Sequence, residues 1–304
     1  MSFSTVRTAI QFGLILALAL PASLAAGEEH KLSLDRNRLV TSKYNVELSG
    51  VQSNQMTQFV DGKLKGNQAE VSTGKFAGVV EILEVHENKK TKSIAIKVEE
   101  FEGKFNDKVV EIDTAKRIIA SAENGELVLT YEGGDELSAE AIEILDMLIT
   151  FMIEEEPSDI TDNEMFKLQQ PRAVGTSWEC DNELIAKDLS KGGKIAIDPK
   201  KMKSTFKFNS VGDFHGQKAA SIDVSMEMSE LIIPGLAQQG MKITNSSGKM
   251  RMTGKLPLDT ESNDGETSMK MDFNFTAEAN ADGALVKLIV KVNAQAKATY
   301  REIK

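Results

Sequence analysis

The sequence predicts an α+β protein, predominantly antiparallel β, whose curved meander sheets carry one central amphipathic helix on an apolar sheet face. Three observations predict it. Segment after segment alternates apolar and polar residues, as in VKLIVKVNAQAKATY, where Val286, Leu288, Val290, Val292, Ala294, Ala296, Ala298 and Tyr300 share one face. Strands wet on one side belong to antiparallel sheets, whereas buried parallel strands read as continuous apolar runs. One segment, DELSAEAIEILDMLITFMIEEEP, changes to spacings of three and four. Finally, Cys180 is the only cysteine, so no internal disulfide is available and a packed core has to hold the fold.

At the start, Arg7 precedes the apolar run Ala9–Leu20, broken by Gln11, and PASLAAGEEH follows. A positive first region, a short apolar stretch and small residues at Ser23 and Ala25 predict a secretory leader over residues 1–25, with Ala26 or Gly27 first in the mature chain. The apolar run is shorter than the roughly 20 residues that span a bilayer. The expectation is an exported bacterial protein, periplasmic or extracellular, that does not span a membrane after cleavage.

The N-terminal half, 26–157, holds strands at Gly74–Val85 and Lys92–Gly103, joined by HENKKT as a hairpin with Ile94, Ile96 and Val98 on one face. KVVEID and GELVLTYEGG continue the meander, the latter with Leu127, Leu129 and Tyr131 in phase. A helix is predicted at 137–154, with Leu137, Ala141, Ile144, Leu145, Leu148 and Met152 on its stripe, Asp135 or Ser138 as cap and Pro157 beyond its end.

The C-terminal half, 158–304, carries strands with Met202, Phe206 and Phe208 in phase, then Ile222, Val224, Met226 and Met228, then Met250 and Met252, then Met269, Met271, Phe273 and Phe275. Gly212-Asp213 and His215-Gly216 are expected to reverse the chain around Phe214, and a short helical turn fits within Met228–Gly240. Two curved subdomains fit the pattern, and so does one long sheet wrapped around the helix. A transmembrane barrel does not fit, because the helix interrupts the hairpins, and three Tyr and one Trp are too few for two aromatic girdles.

The chain has a formal net charge of −10, which becomes −11 when Arg7 leaves with the leader. Scattered acidic charge without a basic track excludes nucleic acid as a partner. No catalytic residue, metal ligand set or cofactor motif emerges. His30, His86 and His215 read as exposed loop residues without zinc-ligand spacing, and PLDTESNDGETS (Pro257–Ser268) fails the EF-hand rule and reads as a solvated loop. Cys180, in TSWECDNEL, reads as a buried small hydrophobe.

The candidate ligand-binding residues are Trp178, Met226, Met228, Met250, Met252, Met269 and Met271. Methionine adapts to irregular apolar shapes, and Trp178 pairs a large ring with a polar handle. The competing reading makes the methionines core filling beneath the helix and Trp178 a cover for the end of a sheet. The expected function is that of a non-catalytic protein binding an apolar ligand or an envelope partner, a lipid or an envelope protein, in a concave sheet. A structural module acting through sheet edges comes second, and a hydrolase third.

Pro171, Val174, Gly175 and Trp178, followed by Phe206–Phe208, Gly216, Gln217, Lys218, Ala219, Ala220 and Ile222, resemble a family of uncharacterised exported bacterial β-rich proteins. The resemblance covers positions 168–304 and implies a β-rich exported fold. That family has no assigned activity, so it implies no site.

Overall fold

The computed structural model describes residues 28–35, 39–150, 152–281 and 283–303. The predicted leader and the first mature residue lie outside them. The strands are β1 (Glu29–His30), β2 (Lys43–Val60), β3 (Lys63–Val85), β4 (Thr91–Phe105), β5 (Lys108–Val110), β6 (Ile118–Glu123) and β7 (Glu126–Tyr131) in the first half. They continue as β8 (Arg172–Ala173), β9 (Ser177–Glu179), β10 (Met202–Phe214), β11 (Gln217–Ser229), β12 (Lys242–Pro257), β13 (Gly265–Ala281) and β14 (Ala284–Ile303). Four α-helices accompany them among the described residues: α1 (Ala139–Ile149), α2 (Asp162–Met165), α3 (Asn182–Leu189) and α4 (Pro234–Gln238).

One curved, unclosed antiparallel sheet of 12 strands contains all of them but β1 and β8, in the order β7-β6-β4-β3-β2-β14-β13-β12-β11-β10-β9, with β5 attached to β4. The predicted fold class is therefore the observed one. β14 sits in the middle, paired with β13 on one side and over its length with β2 on the other, from Val286 opposite Val60 to Ile303 opposite Lys43. It is not an edge strand. Its even-numbered side chains face inward as expected, and Lys291, Gln295, Lys297 and Arg301 face water. An apolar outer band would be the mark of a membrane barrel. The outer face here is charged, with Lys249, Arg251, Lys255 and Lys270 exposed on β12 and β13 as well.

Two apolar cores lie on the inner face. The first gathers β10–β14 with α2, α3 and α4, around Phe206, Phe208, Val224, Met226, Phe273 and Phe275. The second gathers β2–β4, β6 and β7 with α1, around Val80, Ile94, Ile96, Ile118, Ile144 and Leu145.

α1 is shorter than the predicted 137–154. Ser138 caps it, its Oγ accepting from the Ala141 N–H at 3.2 Å. Glu154–Glu156 would lie against the negative end of the helix dipole if the helix continued, and the chain leaves it at Thr150 instead. The helix reaches its sheet through glycine. A Cβ on Gly74 would lie 2.6 Å from Ile144 Cγ2 and 3.0 Å from Leu148 Cδ1. Gly74→Val should therefore push α1 off the sheet and lower stability by about 1–3 kcal/mol, as overpacking does. Urea unfolding checks this, and an unchanged midpoint would mean that α1 does not rest on β3.

Other expectations need correcting. KVVEID is a strand only over its first three residues, because Val109 is exposed and the segment pairs with the end of β4 alone. Gly212 and Asp213 belong to the β10–β11 ladder, and His215-Gly216 alone make the reversal, both at positive φ. Two of the histidines are not exposed loop residues. His30 packs edge-on against Phe208, and His86 Nε2 donates to the Glu154 carbonyl at 2.8 Å. His215 does sit in a turn, beside Arg301.

Candidate functional site

A cavity of about 560 Å³ opens where the two cores meet. β2 contributes Tyr44, Val46 and Leu48, and β3 contributes Val80 and Ile82. Across from them stand Ile222, Val224, Met226 and Met228 of β11 and Met250, Met252 and Leu256 of β12. Curvature brings these strands together: β2 and β12 are separated by β14 and β13 in the sheet, yet line one space. Ile153, Ile160, Met165 and Phe166 close it from the segment that links the halves. The volume falls within the roughly 300–1,000 Å³ of small-molecule sites, and the predominantly apolar wall is typical of them.

A charged rim joins three pieces of chain. Lys90, on the β3–β4 hairpin, pairs with Glu154 at 3.2 Å and Asp162 at 3.4 Å. Lys191 pairs with Glu154 and, at 3.2 Å, with Asp188 at the end of α3. Lys194 pairs with Glu155 at 3.2 Å and donates to the Gly125 carbonyl in the β6–β7 turn at 2.6 Å. The Lys194 bond ties the β6–β7 end of the sheet to the segment following α3. Burial works against the Lys90 ammonium, but Asp162 and Glu154 outweigh it and raise its pKa above the ordinary lysine value. Burial likewise pushes the Asp162 carboxyl up, and Lys90 only partly offsets it. The rim is thus a set of committed ion pairs.

Met226, Met228, Met250 and Met252 line the cavity together. Met269 and Met271 are buried in the first core, outside the lining. None of these six belongs to the cluster beneath α1, where the methionines are Met147 of the helix itself and Met152. Trp178 is also outside the lining. Its ring stacks on Phe206 at 4.9 Å, the Arg172 guanidinium covers it at 4.5 Å, and its Nε1 donates to the Phe166 carbonyl at 2.8 Å. With a side chain stacked on it and another over it, the indole anchors edge strand β9. Cys180 is buried, and burial pushes its thiol up to about 11, which keeps it protonated and unreactive. Among the described residues, no group of three or more His, Cys, Asp or Glu side chains is placed to hold a metal ion.

The sequence reading missed the β2 wall and the rim. The alternation Tyr44, Val46, Leu48 was the available signal for the first. The rim had none, since it assembles from residues of three distant segments.

No family model matches the chain, and no curated protein matches it. Among solved structures, it is similar to one titled "Lipid-protein interactions in lipovitellin", at 7% identity and a TM-score of 0.32, over 85% of this chain and 25% of that one. The chain thus spans about a quarter of the lipovitellin chain. It is also similar to the outer membrane protein OprG from Pseudomonas aeruginosa, at 10% identity and a TM-score of 0.19, over 88% of this chain and 99% of that one. At these TM-scores neither likeness extends to shared geometry. No specific family is supported for the stretches Pro171–Trp178 and Phe206–Ile222, and what stands of the resemblance is the β-rich fold.

Proposed function

We propose that this protein is an exported, non-catalytic carrier or sensor of a small apolar molecule, held between the two arms of the curved sheet. The observation that supports it most is the cavity itself, with an apolar wall drawn from both cores and a polar rim around it. The leader pattern at Arg7–Ala26 supports export. The protonated thiol of Cys180 and the structural engagement of His30 and His86 favour binding over catalysis.

The neutral fluorophore N-phenyl-1-naphthylamine tests the reading. The mature protein should enhance its emission, and Met252→Trp, which fills the space from a partly exposed wall position, should weaken binding about tenfold or more while leaving the melting midpoint close to the parent's. Absence of any enhancement by the parent protein would overturn the proposal. Native mass spectrometry of protein taken from its own envelope fraction would then identify the natural ligand.

An open sheet edge favours a second reading, assembly with another chain. Ladder pairing of β3 with β4 begins at Ser72, so among the described residues Lys63–Glu70 pair only with β2. Lys63 and Lys65 blunt that edge, since buried lysine is costly in a new strand pair. Light scattering decides: a monomer at high concentration removes self-assembly through this edge.

A further inference from the structure

Resting on the cavity as a ligand site, we infer the chemistry of the ligand's head: a long-chain amphiphile that carries no negative charge and donates a hydrogen bond, such as a long-chain alcohol. Among the described residues the lining contains seven carboxylates and four lysines. Three of those lysines are already committed. Lys90 holds Glu154 and Asp162, Lys191 holds Glu154 and Asp188, and Lys194 holds Glu155 and the Gly125 carbonyl. The fourth, Lys89, is exposed at its hairpin turn, at the mouth of the lining, where water screens it.

A fatty carboxylate or a phosphate brought to this rim would have two choices. It would displace an internal carboxylate from its lysine, leaving that group partly buried and unpaired, or it would stay unpaired itself beside a surplus of like charge. Both are costly where water is partly excluded. A neutral head disturbs none of the pairs. A second observation points the same way. The buried Oδ1 of Asn263, elsewhere in the lining, accepts no hydrogen bond. It calls for a donor. A hydroxyl supplies one, whereas an ionised carboxylate has only acceptors.

The test is displacement of N-phenyl-1-naphthylamine from the mature protein at pH 8 by hexadecan-1-ol and by hexadecanoate, which share a chain and differ in the head. The alcohol should displace the fluorophore at about a tenfold lower concentration or less. Glu155→Gln, which frees Lys194 from its carboxylate, should strengthen hexadecanoate relative to the alcohol and so narrow the preference severalfold. Equal potency of the two probes, or the reverse order, would overturn the inference while leaving the apolar cavity intact. A Glu155→Gln protein with the parent's preference would overturn the role given to the committed lysines. If the fluorophore never binds, the cavity reading falls, and this inference with it.

Discussion

Phe206→Ala is expected to lower the free energy of unfolding by about 3–5 kcal/mol, the range for truncating a fully buried aromatic side chain. Phe206 is 0% exposed. It lies between Trp178 at 4.9 Å and Phe166 at 5.8 Å, and it is the residue opposite Trp178 in the β9–β10 pairing. Removing the ring takes away the surface on which the indole stacks, so the edge strand loses its anchor along with the core's volume. Trp178 is the only tryptophan, so its fluorescence reports this site alone. Chemical unfolding should show an earlier midpoint, and the native emission should shift to the red. A loss under about 1 kcal/mol, the size of an ordinary surface substitution or little more, would show that the stack is not packed as described.

Leu145→Ala should cost about 2–5 kcal/mol, because Leu145 is 0% exposed in the middle of α1 and the helix rests on four strands with little room to collapse into the gap. Leu145 belongs to the second core and stands outside the cavity lining. Added apolar ligand should therefore leave the size of the loss unchanged, as measured by thermal unfolding with and without N-phenyl-1-naphthylamine. A loss that vanishes with ligand would place Leu145 in the cavity wall, and no loss in either condition would make α1 peripheral. The two substitutions fall in separate clusters, so their costs should add in the double variant.

How much of this was legible depended on what each strand faces. Where a strand faces a core, alternation is clean, and the hairpins around Ile94–Val98, Phe206–Phe208 and Met269–Phe275 were readable. β2 and the start of β3 were not, because their inward positions beyond Leu48 are Gly50, Gln52 and Asn54 on β2 and Glu70, Ser72 and Gly74 on β3. Glycine there admits α1, and polar groups find partners: Gln52 donates to Asn54, and the Ser72 hydroxyl to Glu143 on the helix. Apolar patterning is silent at such positions. The Asp61-Gly62 pair was the remaining signal, and both residues adopt the positive φ of a tight hairpin. α3 escaped for a different reason. It is eight residues long, with only Ile185 and Ala186 buried, too little for a period to show, although Asp181 accepts from the Leu184 N–H as its cap. Four of the seven candidate ligand residues share the cavity wall, because in-phase methionines on neighbouring strands end up side by side. The opposite wall depends on sheet curvature, which a linear pattern does not encode.

The central position of β14 has a consequence for the order in which the molecule assembles. The hairpins β3–β4 and β10–β11 join residues close in the chain and can form as soon as they are made. The β2–β14 seam joins residues more than two hundred positions apart, such as Val60 and Val286, and is the last ladder that synthesis can complete. Until then β2 and β13 each wait with a long unpaired side, and the loop-closure entropy of joining them is still outstanding. Folding rate should be governed by this one late closure, and the waiting edges are where a nascent chain is most exposed to mispairing with its neighbours.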